Sequence, residues 1–346
     1  MNTSIKFFLG ANSNKGFVSY FEQLQDQEND LRLLVLKGGP GSGKSTLMKR
    51  VCEYAKKRGN EIILIPCASD PDSLDAFIDL TENFAMLDGT APHIVDPSLP
   101  GAKQHIMNMG EFWDIGKLKQ KRREIANLTD YISQSHKDAG AYIKSAASLY
   151  EENVRHAGRF INKKEIYGFS EEIIKALPQM NGGKEYKALL SAVSVGKTVF
   201  FDETVSSADG IYALKDEWGA ATDYLLKLIS KGASAKGINT ISCPSSIIPE
   251  LSRHVIIADT KTAFTSAKEF YNNSCSNVVL EDFYTGIYDE EIMKEREALY
   301  CLLIEKACAC VKKAKLLHDE LEAFYKEAMD FSGMEDIYEK TIKTFY

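Results

Sequence analysis

The nine residues Gly38-Gly39-Pro40-Gly41-Ser42-Gly43-Lys44-Ser45-Thr46 constrain this chain more than any other stretch. They satisfy the pattern G-x-x-x-x-G-K-[ST] at every required position, and that pattern carries meaning only between a buried strand and a helix. Leu33-Leu34-Val35-Leu36 in front of it is wholly apolar, as a parallel strand covered on both faces requires. Behind it, Leu47, Met48, Val51, Tyr54 and Ala55 recur at helical spacing, which predicts a helix over 44–57 with Gly59 as its stop. In such a loop the glycines let backbone N–H groups turn inward on an anion, and the helix N-terminus adds partial positive charge. Lys44 then bridges β- and γ-phosphate oxygens, and the Ser45 hydroxyl ligates Mg²⁺. The expectation is a nucleotide site.

The flanking segments are read in the same way. Residues 4–9 are expected as a strand, 12–16 as a turn, and Phe17, Tyr20, Phe21 and Leu24 as a short amphipathic helix. After the loop helix, residues 61–66 form the next apolar strand and run into Asp70, Asp72 and Asp75. Strand carboxyl ends in an open α/β sheet face the ligand crevice, so these acids border the site on one reading. On the other, Asp70-Pro71 turns the chain and Asp72 or Ser73 caps a helix. Phe84-Ala85-Met86-Leu87-Asp88 has the form of a strand whose closing aspartate holds Mg²⁺, which makes Asp88 the second metal residue beside Ser45. Gly89 follows it, so no glutamate stands there to activate water. Residues 89–110 hold three prolines without periodicity, the mark of a lid or binding loop. His93 within it either orients water or senses a phosphate, or is a turn histidine bonded to backbone.

At 346 residues two domains are expected. A net charge of −7 argues against a general nucleic-acid or anionic-membrane coat. No apolar run reaches the roughly 18 residues of a membrane span, and the seven cysteines, without a C-x-x-C pair, read as reduced cytoplasmic thiols. Ile125, Leu128, Ile132, Ser135, Ala139, Tyr142, Ala146 and Leu149 step by threes and fours, as do Leu303, Ala307, Cys310, Ala314, Leu317, Leu321, Phe324, Ala328 and Phe331. Two long helices packed on each other within the chain are expected. Lys117, Lys119, Lys121, Arg122 and Arg123 crowd the start of the first, and Asp289, Glu290, Glu291, Glu295 and Glu297 the start of the second. Parallel pairing would let these clusters neutralise each other; otherwise the basic one is solvated or meets an anionic partner.

A diverged internal repeat is also expected. Leu36-Lys37 aligns with Leu214-Lys215, Cys67 with Cys243, Leu87-Asp88 with Ala258-Asp259, and Phe112-Trp113 with Phe283-Tyr284. In the second copy Gly38, Gly43, Lys44 and Ser45 become Asp216, Ala221, Thr222 and Asp223, which removes the lysine and adds two carboxylates. That copy would repel a triphosphate. Arg253 in it is a candidate arginine finger reaching toward the first.

Residues 15–17, 36–49, 67–75 and 87–93 together resemble a family of P-loop ATP-binding proteins from Firmicutes with tandem duplicated halves. The resemblance is strong over residues 1–155 and present only in outline beyond; family members can carry a second Lys-Ser/Thr loop that this chain lacks. It implies an α/β fold with a P-loop NTPase-type parallel sheet, tandem duplicated, on long coiled-coil-like helical stems. The expected organisation is a nucleotide-binding domain at 1–115, a long helix at 116–156, a degenerate copy at 157–285 and a second long helix with its tail at 286–346. The expected function is a Mg²⁺-dependent ATPase or ATP-driven switch using Lys44, Asp88, His93 and Asp70. The alternative is a kinase for a small molecule or nucleic-acid end, with Asp70 or Asp72 orienting the acceptor. The expected ligands are ATP and Mg²⁺, with a protein or small-molecule partner.

Overall fold

The computed structural model describes residues 5–26, 30–271, 275–286 and 289–346. Apolar runs build a first sheet from β1 (Ile5–Lys6), β4 (Arg32–Lys37), β5 (Ile62–Pro66), β6 (Leu74–Asp79), β7 (Phe84–Asp88) and β8 (Gln104–Asn108). A hairpin of β2 (Gly10–Ser13) and β3 (Gly16–Ser19) lies beside it, and α1 (Lys44–Lys57) covers one face. Strand order is β1-β5-β6-β7-β4-β8. Five strands run one way and β6 runs against them, so the sheet is mixed, where an all-parallel one was expected. On the reading in which Asp70-Pro71 turns the chain, the turn is present, since residues 67–73 close on themselves. The helix that Asp72 or Ser73 would cap is replaced by the reversed strand Leu-Asp-Ala-Phe-Ile-Asp, which pairs with both neighbours. Residues 17–19 belong to β3, and only Phe21–Gln25 coil, as a 3-10 turn. The loop expected over 89–110 closes at Gln104, where β8 joins the sheet edge. Ser4, the first residue of the expected opening strand, lies outside the described residues.

From there α2 (Ile115–Gln120) leads into α3 (Arg122–Ala157), about 54 Å long at 1.5 Å per residue, and α4 (Lys163–Ala176) follows. A second mixed sheet comprises β9 (Glu185–Lys187), β12 (Gly210–Lys215), β13 (Thr240–Pro244), β14 (Ser252–Ile257), β15 (Thr262–Thr265) and β16 (Ser276–Val279). Its companions are the hairpin β10 (Ser191–Val193) and β11 (Thr198–Phe200), with α5 (Asp202–Ser206) and α6 (Ala220–Ala235). Helices α7 (Glu290–Glu327) and α8 (Met334–Phe345) complete the described chain.

The second sheet, in the order β9-β13-β14-β15-β12-β16, repeats the connectivity of the first, with β14 as its one reversed strand. The pairings repeat residue for residue: Arg32 faces Phe84 as Gly210 faces Thr262, and Ile62 faces Asp79 as Thr240 faces Ile257. That constant displacement of 178 positions corrects two expected alignments. Cys67 corresponds to Ser245 and not Cys243. Asp88 corresponds to Ser266, because residues 255–257 belong to β14, the counterpart of β6, and Asp259 lies beyond it, accepting from Asn239. Phe112-Trp113 does fall on Phe283-Tyr284, since the segment before β16 is seven residues shorter than that before β8.

Phe8 and Leu189 hold counterpart positions beyond β1 and β9, and each donates its N–H to the other's carbonyl at 2.8 Å. The contact marks a local two-fold axis. Helices α3 and α7 pack on each other, and their ends fix the direction: Trp113 bridges Met329 at one end and Ile161 bridges Tyr284 at the other. The stem is therefore antiparallel, and the basic and acidic clusters lie at opposite ends. Lys117 donates to the Glu327 carbonyl at 3.3 Å and Lys121 lies over the Phe324 ring, so part of the basic cluster is spent on α7. Small residues let the helices close: Ala139, Ala146, Ala147, Ala307 and Ala314 are all buried. Ile143 takes the inward place expected of Tyr142, and Phe331 lies past the end of α7, exposed.

Each stem helix delivers its follower to the opposite sheet. Helix α4 packs on α6 and α8 packs on α1. Two equivalent hydrogen bonds fix these crossings, Asn162 N–H to the Phe283 carbonyl and Asp330 N–H to the Phe112 carbonyl. Phe345 is 5% exposed and stacks on Phe84 at 4.4 Å between centroids, inside the first core.

Candidate functional site

The loop at 38–43 leaves β4 and enters α1 through Gly43, whose φ of +85° is the left-handed conformation that favours glycine. Gly41, at φ +66°, is pressed against α7, where a side-chain carbon would come 2.9 Å from the Glu322 carbonyl. Ser42 closes the loop on itself, its hydroxyl donating to the Gly39 carbonyl at 2.9 Å, with Pro40 at the turn of the loop. Lys44 is nearly buried. Its Nζ donates to the carbonyls of Gly38 and Gly39 at 2.7 and 2.8 Å and stands 3.5 Å from Asp88 Oδ2. That ion pair follows from topology, since β7 is the parallel neighbour of β4 and Asp88 faces Leu36 at the sheet's carboxyl edge. Asp88 Oδ1 accepts from both the N–H and the hydroxyl of Thr90 at 2.9 and 2.6 Å, which fixes the carboxylate's orientation. Ser45 Oγ accepts from the Leu74 N–H at 3.1 Å and ties the first turn of α1 to β6, while Thr46 is exposed.

Thus Lys44, Ser45 and Asp88 share one edge of one sheet with the glycine loop. Two other expected residues are engaged elsewhere. Asp70 lies in the turn after β5 with its carboxylate 3.5 Å from Lys315 of α7. His93 is neither a turn histidine bonded to backbone through its ring nor an open group: Nε2 lies 2.9 Å from Asp75 Oδ2, and Phe17 and Phe21 pack on the ring. Arg253 does not reach toward the first loop. Its Nη1 donates to Tyr150 at 2.9 Å and lies against Gly219 in its own half.

Three contributors had no signal in the local motif. Trp113, just after β8, lays its ring on Gly39 with Tyr325 of α7 beside it, and its indole Nε1 is buried without a hydrogen-bond partner. Phe331, between α7 and α8, and Met334, the first residue of α8, approach Gly43. Only the repeat alignment of Trp113 with Tyr284 hinted at the first.

The second loop, 216–219, is shorter, because α6 starts two residues earlier than α1 relative to the strands. Asp216, 4% exposed, turns its carboxylate back over the helix N-terminus. It accepts from Thr222 N–H at 2.8 Å, from Trp218 N–H at 3.3 Å and from the Tyr284 hydroxyl at 2.9 Å. A helix N-terminus favours an anion, and here the chain supplies its own. Asp223, in the place of Ser45, keeps that residue's structural bond by accepting from Ser252 N–H at 2.8 Å.

The fold and site define a mixed α/β protein with two like-connected sheets and a glycine-rich loop at the edge of the first. Residues 18–84, which carry β4, that loop, α1, β5 and β6 and stop at the first residue of β7, match the family model described as Nephrocystin 3, N-terminal. Comparison with curated proteins and with solved structures gave no match. Among the described residues no helix is long and apolar enough to cross a membrane.

Proposed function

We propose that this protein binds ATP with Mg²⁺ at residues 38–46 and acts as an ATPase or ATP-driven switch, its second half a diverged copy whose loop is filled by its own carboxylate. The observation that carries this reading is the convergence of Lys44 and Asp88, 3.5 Å apart, beside a glycine loop at a strand-to-helix junction. The residues fit the ligand: the loop's N–H groups and Lys44 Nζ suit phosphate oxygens, and the ring whose carbons lie on Gly39 carries the unpartnered Trp113 Nε1–H. The dyad-related tyrosine supports that role, because Tyr284 donates to the carboxylate that stands at the second loop. Ser45 and Asp88 would hold Mg²⁺, which neutralises phosphate charge when bound.

The chain's own residues divide the remaining work. Thr90 holds the Asp88 carboxylate in place, and Lys44 exchanges the carbonyls of Gly38 and Gly39 for phosphate oxygens. Glu322 and Tyr325 of α7 touch the loop at Gly41 and Gly39, so movement of the loop is passed directly to the stem. Of the two candidate bases of the kinase reading, Asp70 is paired with Lys315, which leaves Asp72 to orient an acceptor. Lys44→Ala should weaken ATP binding roughly 10- to 100-fold, the worth of a charge-assisted hydrogen bond, and abolish Mg²⁺-dependent phosphate release. Calorimetric titration with ATP and a phosphate-release assay measure both. Unchanged affinity and release in the variant would overturn the reading.

A further inference from the structure

We infer that the purine base of the bound nucleotide sits in a cleft between α1 and α8, stacked on Phe331. This inference rests on the nucleotide reading above and extends it to the base. A cavity of about 140 Å³, the scale of a single heterocyclic base, opens beside the glycine loop and is lined by Gly43, Thr46, Leu47, Arg50, Phe331 and Met334. Gly43 and Thr46 bracket Lys44 and Ser45, so the cleft adjoins the place where a bound ligand's phosphates would lie.

The lining suits a flat aromatic ring. Phe331 is 44% exposed, and its ring edge would lie 3.6 Å from a side-chain carbon at Gly43. Met334 supplies a polarisable wall at 3.4 Å from the same point. Arg50 is held at the cleft by two 2.9 Å bonds to Glu335 and by the Tyr338 ring beneath it, and the exposed Thr46 hydroxyl is free to meet a ring nitrogen.

The second half shows what the same junction looks like when closed. Four residues beyond Asn162, as Met334 is four beyond Asp330, Ile166 is fully buried and packs in one cluster with Ala221, the residue in the place of Gly43. The cleft is kept open in the half that keeps the lysine. Because Phe331 and Met334 arrive on the segment after α7, base recognition would join the stem to α1.

Titration calorimetry with ATP and with inorganic tripolyphosphate tests this on the wild type, Phe331→Ala, Phe331→Trp and Lys44→Ala. Phe331→Ala should weaken ATP about tenfold, the size of one base–aromatic stacking contact, and leave tripolyphosphate within about twofold; Phe331→Trp should restore ATP. The subsite is overturned if Phe331→Ala leaves ATP unchanged, if it weakens both ligands equally, or if the wild type binds ATP no more tightly than tripolyphosphate. Failure of the nucleotide reading looks different: neither ligand then depends on Lys44.

Discussion

Replacing Asp216 with asparagine puts the self-filled loop to a direct test. The carboxylate accepts three hydrogen bonds from a position 4% exposed, two of them from backbone N–H groups at or beside the start of α6. An amide keeps the shape but loses the charge and one acceptor, because both carboxylate oxygens accept here and the NH2 must then face a donor. A partly buried charge at a helix terminus is worth up to about 2 kcal/mol, and bonds to an ion exceed those to a neutral acceptor by roughly 1 kcal/mol. The expected loss is thus about 2–3 kcal/mol, and Arg253, which faces Asp216 from β14, adds to it in the same direction. Urea denaturation gives the number, and a change below about 0.5 kcal/mol would refute the reasoning. Asp216→Gly supplies the complementary result. With the carboxylate gone, the same N–H groups should take sulfate, and at ten times its Kd sulfate would restore about 1.4 kcal/mol. The wild type should gain nothing comparable, because Asp216 already occupies those donors.

Three further outcomes are expected. Trp113→Phe keeps the ring on Gly39 but removes its N–H, and should weaken tripolyphosphate about 3- to 10-fold by calorimetry; no change would remove the indole from the site. Phe345→Ala should cost about 3–5 kcal/mol of urea stability, the range for deleting a buried phenyl ring, since Phe345 is 5% exposed against Phe84; a loss under 1 kcal/mol would mean that α8 is not docked on α1. His254 is buried on β14, and burial followed by the neighbouring Arg253 charge pushes its pKa from 6.5 down to about 3. The unfolded chain therefore binds a proton below pH 6.5 that the folded chain refuses until about pH 3. Stability is full above pH 6.5 and falls as pH drops, by about 2 kcal/mol at pH 5. His254→Gln should flatten that acid limb between pH 7 and pH 5 in urea titrations.

What the sequence made legible was local. Residues 33–36, 44–57 and 84–88 form strand, helix and strand where their apolar spacing put them, because burial on one or both faces leaves a periodic mark. The reversed strand β6 was missed because Asp70-Pro71 and the acids around it look like a helix start, whereas the deciding fact is pairing with β5 and β7. The slipped alignments of Cys67 and Asp88 have the same origin: Val255-Ile256-Ile257-Ala258-Asp259 imitates residues 84–88 in composition, and only the ladder register separates them. His93 and Asp70 were placed by proximity in sequence, and side chains from β6 and α7 claim them. Trp113, Phe331 and Met334 were invisible to motif reading, since the loop they touch is remote in the chain from Phe331 and Met334 and the stem brings them there.

The crossing of α8 onto α1 also sets an order of events during synthesis. Phe84 and the outer face of α1 emerge early, but Phe345 and Tyr346, which cover Phe84 and Tyr54, follow nearly 300 residues after α1. At about 5–20 residues per second that interval is roughly 15–60 s. Throughout it the first sheet's helix layer stands partly uncovered, and the apolar residues meant for α8 are open to any other hydrophobic surface. The nascent chain should therefore be a substrate for chaperones until its second half has been made.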